Sequence, residues 1–357
     1  MSTTTQTALP DAASPERLTE VLRKSPGLAH IRVADVVVES AQTTVLSEIM
    51  RLGLAYDGDA PGAPRSLVLK TGRADRRGNA HWDAGRQEVA FYDQVAAAKP
   101  CPQLLRCFDA AWDAETRAWH ILLEDLSATH LVATAWPLPP NPEQCAQMLR
   151  ARARLHAAWW DDPRLGASVG VLQDDSAIDA GLQQFDRSFA GFVDRFGHLL
   201  PAERRRLVER LIANGRRLHT HHRSHRNMTI VHGDSHVWNI FLPRDGGDDV
   251  RIFDWDCWRV DVAADDLAYM MALHWYPDRR QQMERALLDD YHVALTESGV
   301  TGYDRAALAE DYRLAVLWQA TTPIGQAMSN IPPLIWWNNL ERIFLAVDDL
   351  GCRDLLD

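Results

Sequence analysis

The 357-residue chain has no basic surplus, no paired-cysteine pattern and no long apolar run. Each absence removes a class of function. Its 38 Lys and Arg stand against 49 Asp and Glu, for a net charge of -11. Affinity for a phosphate backbone comes from clustered basic residues, so no nucleic-acid partner is expected, and a cationic or neutral small substrate suits the balance better. The five cysteines (Cys101, Cys107, Cys145, Cys257, Cys352) are odd in number and include no C-x-x-C pair, which fits neither a disulfide framework nor a zinc ribbon. Reduced thiols in a cytoplasmic protein are expected. No stretch approaches the roughly 18 to 20 apolar residues that span a bilayer. The opening "MSTTTQTALPDAASPERL" lacks the basic and apolar regions of a secretory leader, so no membrane partner is expected either.

What is present is ordinary for a globular protein: 46% apolar and 24% charged residues. The length exceeds one compact core and implies two domains or lobes. Ser14 before Pro15 marks a helix start, with Leu18, Val21 and Leu22 as its apolar stripe. Three β-like runs follow, "IRVADVVVE", "SEIMRLGLAY" and "SLVLKT", separated by Gly/Pro/Asp-rich breaks that suggest an antiparallel meander. A helix is expected from Gly85 to Ala98, then two more strands in "LLRCFDAAWD" and "RAWHILLEDL". After Leu126 the pattern becomes helical. The expected fold is therefore α+β, with a β-rich lobe over 1–126 and a helical lobe over 127–357.

One stretch breaks the helical half: "TIVHGDSHVWNIFLPRDGGDDVRIFDWDCW", from Thr229 to Trp258. Read as strand, loop, strand, turn and strand, it brings Asp234, Asn239 and Asp254 toward one point. Phosphoryl transfer needs a carboxylate to orient a hydroxyl and accept its proton, and two oxygen ligands for Mg²⁺ on the nucleotide phosphates. The three residues match that demand in type and order. Asp245, Asp248 and Asp249 read as a solvated turn.

His232-Gly233-Asp234-Ser235-His236-Val237-Trp238-Asn239 fits the H-x-D-x-x-x-x-N loop of kinases and resembles the H-G-D-x-H-x-x-N loop of the aminoglycoside phosphotransferase and choline kinase-like families. "RARLHAAWWDDPRL" is similar to a helix of their ecdysteroid-kinase-like branch. The resemblance implies a bilobal protein-kinase-like fold, ATP and Mg²⁺ as cofactors, and a small-molecule hydroxyl as acceptor. It implies Asp234 as catalytic base and Asn239 and Asp254 as metal ligands. Lys70 in "LVLKT" and Glu88 in "RQEVAFYDQV" take the places of the phosphate-binding lysine and its ion-pair partner. Ser40 and Thr43 fall in the phosphate loop, which has no G-x-G-x-x-G here, and the hinge at Glu124, Asp125 and Leu126 would meet adenine.

His232 and His236 are expected to brace the loop. Asp256 could approach metal or substrate, and Asp266 could cap a helix or hold the catalytic loop. No A-P-E segment follows "FDW", so a protein acceptor has no platform. Most of the thirteen tryptophans, Trp275, Trp318, Trp336 and Trp337 among them, read as core, with a minority lining a pocket. Two readings compete: a His/Asp metal hydrolase built on "HTHHRSH" and "HGDSH", and a nucleotide-binding pseudokinase, against which the intact Asp234 counts.

Overall fold

The structure, a computed structural model, describes residues 9–44, 47–73 and 83–357. It divides into two compact units. The first comprises Met1–Leu131, Pro243–Gly247 and Ile252–Cys257, and the second Val132–Leu242, Asp248–Arg251 and Trp258–Asp357. The segment carrying Asp254 thus belongs to the sheet-based unit, although the sequence order places it among helices.

In the first unit, helix α1 (Pro15–Arg23) starts where Ser14 accepts a hydrogen bond from the Arg17 N–H at 3.3 Å. Strands β1 (Val33–Thr43), β2 (Ser47–Tyr56), β3 (Ser66–Gly72), β4 (Cys107–Trp112) and β5 (Trp119–Glu124) form one antiparallel sheet in the order β1-β2-β3-β5-β4. The first three make the expected meander. Between β3 and β4 lies helix α2 (Asp83–Ala90), which loosens into a π-helical turn over Phe91–Ala96. The α1 stripe of Leu18, Val21 and Leu22 packs with Met50, Leu52, Leu67 and Leu69 in one buried cluster.

Ser40 and Thr43 depart from expectation. They lie in strand β1 and not in a loop, paired with Arg51 and Glu48 of β2. A register shift between Val38 and Ser40 absorbs an irregularity, so the ladder runs on to Thr43. The hairpin closes at Thr44 and Ser47, where the Ser47 N–H donates to Thr44 Oγ1 at 3.0 Å.

A short strand β6 (His130–Val132) precedes the second unit, whose helices are α3 (Pro142–Trp159), α4 (Asp175–Phe196), α5 (Ala202–Leu218), α6 (Thr220–Ser224), α7 (Ala264–Ala268), α8 (Pro277–Glu297), α9 (Arg305–Gln319), α10 (Thr322–Met328) and α11 (Pro333–Asp349). Short strands β7 (Met228–Val231), β8 (Ile240–Pro243) and β9 (Arg251–Ile252) are the β-like runs of the acidic stretch. Strand β10 (Arg259–Val262), which sequence reasoning missed, pairs antiparallel with β7. Among the described residues no helix is long and apolar enough to cross a membrane.

Because Leu22 is fully buried between α1 and the sheet, Leu22→Ala is expected to lower unfolding stability by about 2–5 kcal/mol in urea titrations. A loss under about 1 kcal/mol would mean that α1 is dispensable to this core.

Candidate active site

In the sheet-based unit, Lys70 sits on β3 opposite Ile49 and Ile121. Its ammonium donates to Glu88 Oε2 at 2.6 Å and to Asp254 Oδ1 at 2.5 Å. Burial opposes the charged ammonium, but the carboxylates of Glu88, Asp254 and Asp256 outweigh it and hold the Lys70 pKa above its ordinary value. Lys70 therefore stays cationic at any working pH. Asp256 acts here as one of three negative neighbours.

Asp254 has a left-handed backbone, φ 69°, which Asp tolerates better than most residues. The turn is held from behind by Trp255, fully buried, whose ring stacks on Phe91 with centroids 4.0 Å apart. Ile252, just ahead, bridges Leu104 in parallel and donates its N–H to the Gln103 carbonyl at 2.8 Å. Sheet, π-turn and acidic turn are thereby fixed together.

At the expected hinge, Asp125 is committed to structure: its carboxylate accepts from Arg51 Nε, the Ser66 hydroxyl and the Ser127 N–H. The Glu124 N–H donates to the Arg106 carbonyl, and the Leu126 carbonyl accepts from Thr129 and His130. The Leu126 N–H has no partner among the described residues.

In the helical unit, the loop from His232 to Asn239 joins β7 to β8 and hangs on the buried carboxylate of Asp266. Asp266 accepts from the His232 N–H at 3.0 and 3.1 Å and from the Gly233 N–H at 3.1 Å. It also takes Arg152 Nη1 at 2.7 Å and lies 3.2 Å from His156 Nε2. Burial alone would push this carboxyl up, but Arg152 and the neighbouring histidines drive it far below the ordinary range. Of the two roles open to Asp266, the bonds show loop-holding; it lies within the first turn of α7 and caps nothing.

The loop itself is tightly bonded. The Asp234 N–H donates to His232 Nδ1 at 3.3 Å, and Gly233 turns the chain with φ 80°. Asp234 Oδ1 accepts from the Tyr269 hydroxyl at 2.5 Å, and Oδ2 lies 3.4 Å from His236 Nε2. Burial opposes ionisation of Asp234, but His236, the Tyr269 hydroxyl and His232 outweigh it and keep its pKa below the usual carboxylate range. Asn239 spends its amide nitrogen on the Asp234 carbonyl at 3.0 Å, which leaves the amide oxygen as its acceptor.

Sequence reasoning missed Arg152, His156, Tyr269 and His274. Tyr269 had a signal, since it follows Asp266 by three residues and so shares its helix face. The histidine-rich segment serves structure: His221 pairs with Asp311 at 2.6 Å, His222 lies 3.2 Å from Asp261, and His219 meets the Gly215 carbonyl at 2.7 Å. Among the described residues no group of three or more His, Cys, Asp or Glu side chains is placed to hold a metal ion. Trp275, expected as core or pocket wall, is both: it is buried and lines a cavity beside the loop.

The sequence profile of the phosphotransferase enzyme family matches residues 60–309, well over half of the chain. No curated protein matches it in sequence. Among solved structures, a protein of Ralstonia eutropha JMP134 aligns over 96% of this chain and 98% of its own, with TM-score 0.57 and 13% identity. Choline kinase of Cryptosporidium parvum Iowa II aligns over 96% and 99%, with TM-score 0.56 and 10% identity. A GDP complex of a variant aminoglycoside 2′-phosphotransferase aligns over 96% and 99%, with TM-score 0.52 and 9% identity. At such identities the likeness shows the fold alone: a β-sheet N-terminal region and a helical C-terminal region of protein-kinase type.

Removing one partner of a buried ion pair strands the other, so Asp266→Ala is expected to cost about 3–5 kcal/mol of stability by chemical denaturation. If the loss is below about 1 kcal/mol, Asp266 does not anchor the loop.

Proposed function

The chain belongs to the phosphotransferase enzyme family, and from that premise we propose that it moves the γ-phosphoryl group of ATP to a hydroxyl of a small molecule. The observation that carries the reading is Asp234: a carboxylate kept ionised, with Oδ1 held by Tyr269 and the loop behind it clamped by Asp266. Oδ2, which has only two long contacts, 3.4 Å from Asn239 Nδ2 and 3.4 Å from His236 Nε2, would orient an acceptor hydroxyl and take its proton as the oxygen attacks phosphorus. A nucleotide-binding protein without turnover would have no use for a base held in this way.

Lys70, held on β3 by Glu88, is the group for the nucleotide phosphates, and the free Leu126 N–H suits an adenine ring nitrogen. Asn239 and Asp254 would hold Mg²⁺. The donor set fits: one amide oxygen and one carboxylate are hard oxygen ligands, the kind this ion takes in small number while keeping its waters. When bound, the ion neutralises charge on the phosphates. Ser40 and Thr43 lie in the edge strand β1 and would offer their side-chain hydroxyls to phosphate.

With an acceptor in hand, Asp234→Asn is expected to keep ATP affinity in calorimetry while kcat falls by roughly 10²- to 10⁴-fold. A kcat within about threefold of wild type overturns the assignment of the base. The pH profile gives a second check. A depressed carboxyl stays ionised until the pH falls through its lowered pKa, so the wild-type acid limb should lie below that of an ordinary aspartate. Tyr269→Phe removes a bond to the ionised form and should move that limb to higher pH. An unmoved limb would show that Tyr269 does not tune Asp234.

A further inference from the structure

The helical unit holds a cavity of about 450 Å³ bordered by Val237 and Trp238 of the Asp234 loop and by His274, whose ring lies 5.0 Å from Tyr269 and 5.9 Å from His236. Its size is that of a small-ligand site. Trp136, Trp275 and Leu334 supply apolar wall. Its charge is of one sign: Arg279 and Arg342 line it, and no Asp or Glu is among the described lining residues.

Neither arginine has a carboxylate partner among the described residues. Arg279 donates to the Pro140 carbonyl and its guanidinium lies 4.8 Å from the Trp275 ring centroid. Arg342 makes a 3.4 Å bond to Asn339 and lies 4.2 Å from the Tyr276 centroid. Three buried N–H donors around the cavity, Arg279 Nε, Arg342 Nε and Trp238 Nε1, have no hydrogen-bond partner among the described residues. Buried donors are rarely left so, and two uncompensated guanidinium groups in one apolar cavity call for an anion. His274 adds no competing charge: burial brings its pKa down to about 4, so it is neutral near pH 7.

We propose that this cavity seats the acceptor, and that the acceptor is a hydroxyl compound with an apolar, ring-bearing body and an anionic group such as a carboxylate. The inference rests on the phosphotransferase reading above and narrows it. A polycationic acceptor would meet Arg279 and Arg342 with no carboxylate to offset them, and the field of like charges would oppose its entry. The anion binds Arg279 and Arg342, the aromatic side chains take the ring, and the hydroxyl is presented beside the loop that carries Asp234.

The test uses the full chain and three matched probes: para-(hydroxymethyl)benzoate, its primary amide, and para-(hydroxymethyl)benzylamine. Binding is read by tryptophan fluorescence and calorimetry without nucleotide. The benzoate is expected to bind about tenfold or more tightly than the benzylamine, the gain of charge-assisted hydrogen bonds. Arg342→Gln and Arg279→Gln should each shrink that ratio toward one, and Arg342→Lys should retain most of it. Undetectable benzoate binding, a preference for the benzylamine, or a ratio unchanged in both glutamine variants overturns the proposal. Calorimetry with ATP and Mg²⁺ reads the phosphotransferase reading separately, since a chain that does not bind nucleotide would sink that reading without altering the probe ranking.

Discussion

The buried Asp266 carboxylate is the constraint on which the helical unit's chemistry depends. Two backbone N–H groups of the loop, one arginine and one histidine converge on it with no solvent to share the load. A charge buried this deeply persists only when paired and hydrogen-bonded. The same bonds that stabilise it fix the strand-to-loop exit at His232, and so the direction in which Asp234 leaves β7. Tyr269, on the same helical segment as Asp266, then fixes one oxygen of Asp234. One helical segment thus sets the position of the proposed base, and its tyrosine joins His236 and His232 in keeping that base ionised.

The sheet-based unit answers with the opposite sign. Lys70 is a cation among carboxylates, where Asp234 is a carboxylate among histidines and a hydroxyl. Each is held charged by its surroundings, which is how phosphoryl transfer is served by positioning and electrostatics more than by covalent chemistry. The whole-chain charge of -11 says nothing of these local fields. The cavity with Arg279 and Arg342 is locally positive in an acidic protein, so a substrate class read from the net charge and one read from the lining differ in sign.

Much of the fold was legible because its signals are local. Alternating apolar runs gave β1 to β3 and β5, and the Ser14-Pro15 pair gave the start of α1. The spacing from Asp234 to Asn239 marked the loop before any geometry was known. What was not legible depends on long-range contact. Arg152 meets Asp266 across 114 residues of sequence, and no spacing rule reaches that far. The acidic turn at Asp254 sits with the sheet because Ile252 pairs with Leu104 and Trp255 stacks on Phe91, both remote in sequence. The extension of β1 through Ser40 to Thr43 was hidden by a register irregularity, since a bulge breaks the two-residue alternation by which strands are recognised.

Transfer itself is the central claim, and following the label tests it most directly. ATP labelled in its γ-phosphoryl group is incubated with the wild-type chain, Mg²⁺ and a panel of small hydroxyl compounds, anionic, neutral and cationic, and the products are separated and weighed by mass spectrometry. ADP and a phosphorylated acceptor are expected in equal amounts, with the label on the acceptor oxygen. Label found only in inorganic phosphate, or ATP left intact across the whole acceptor class, would contradict it.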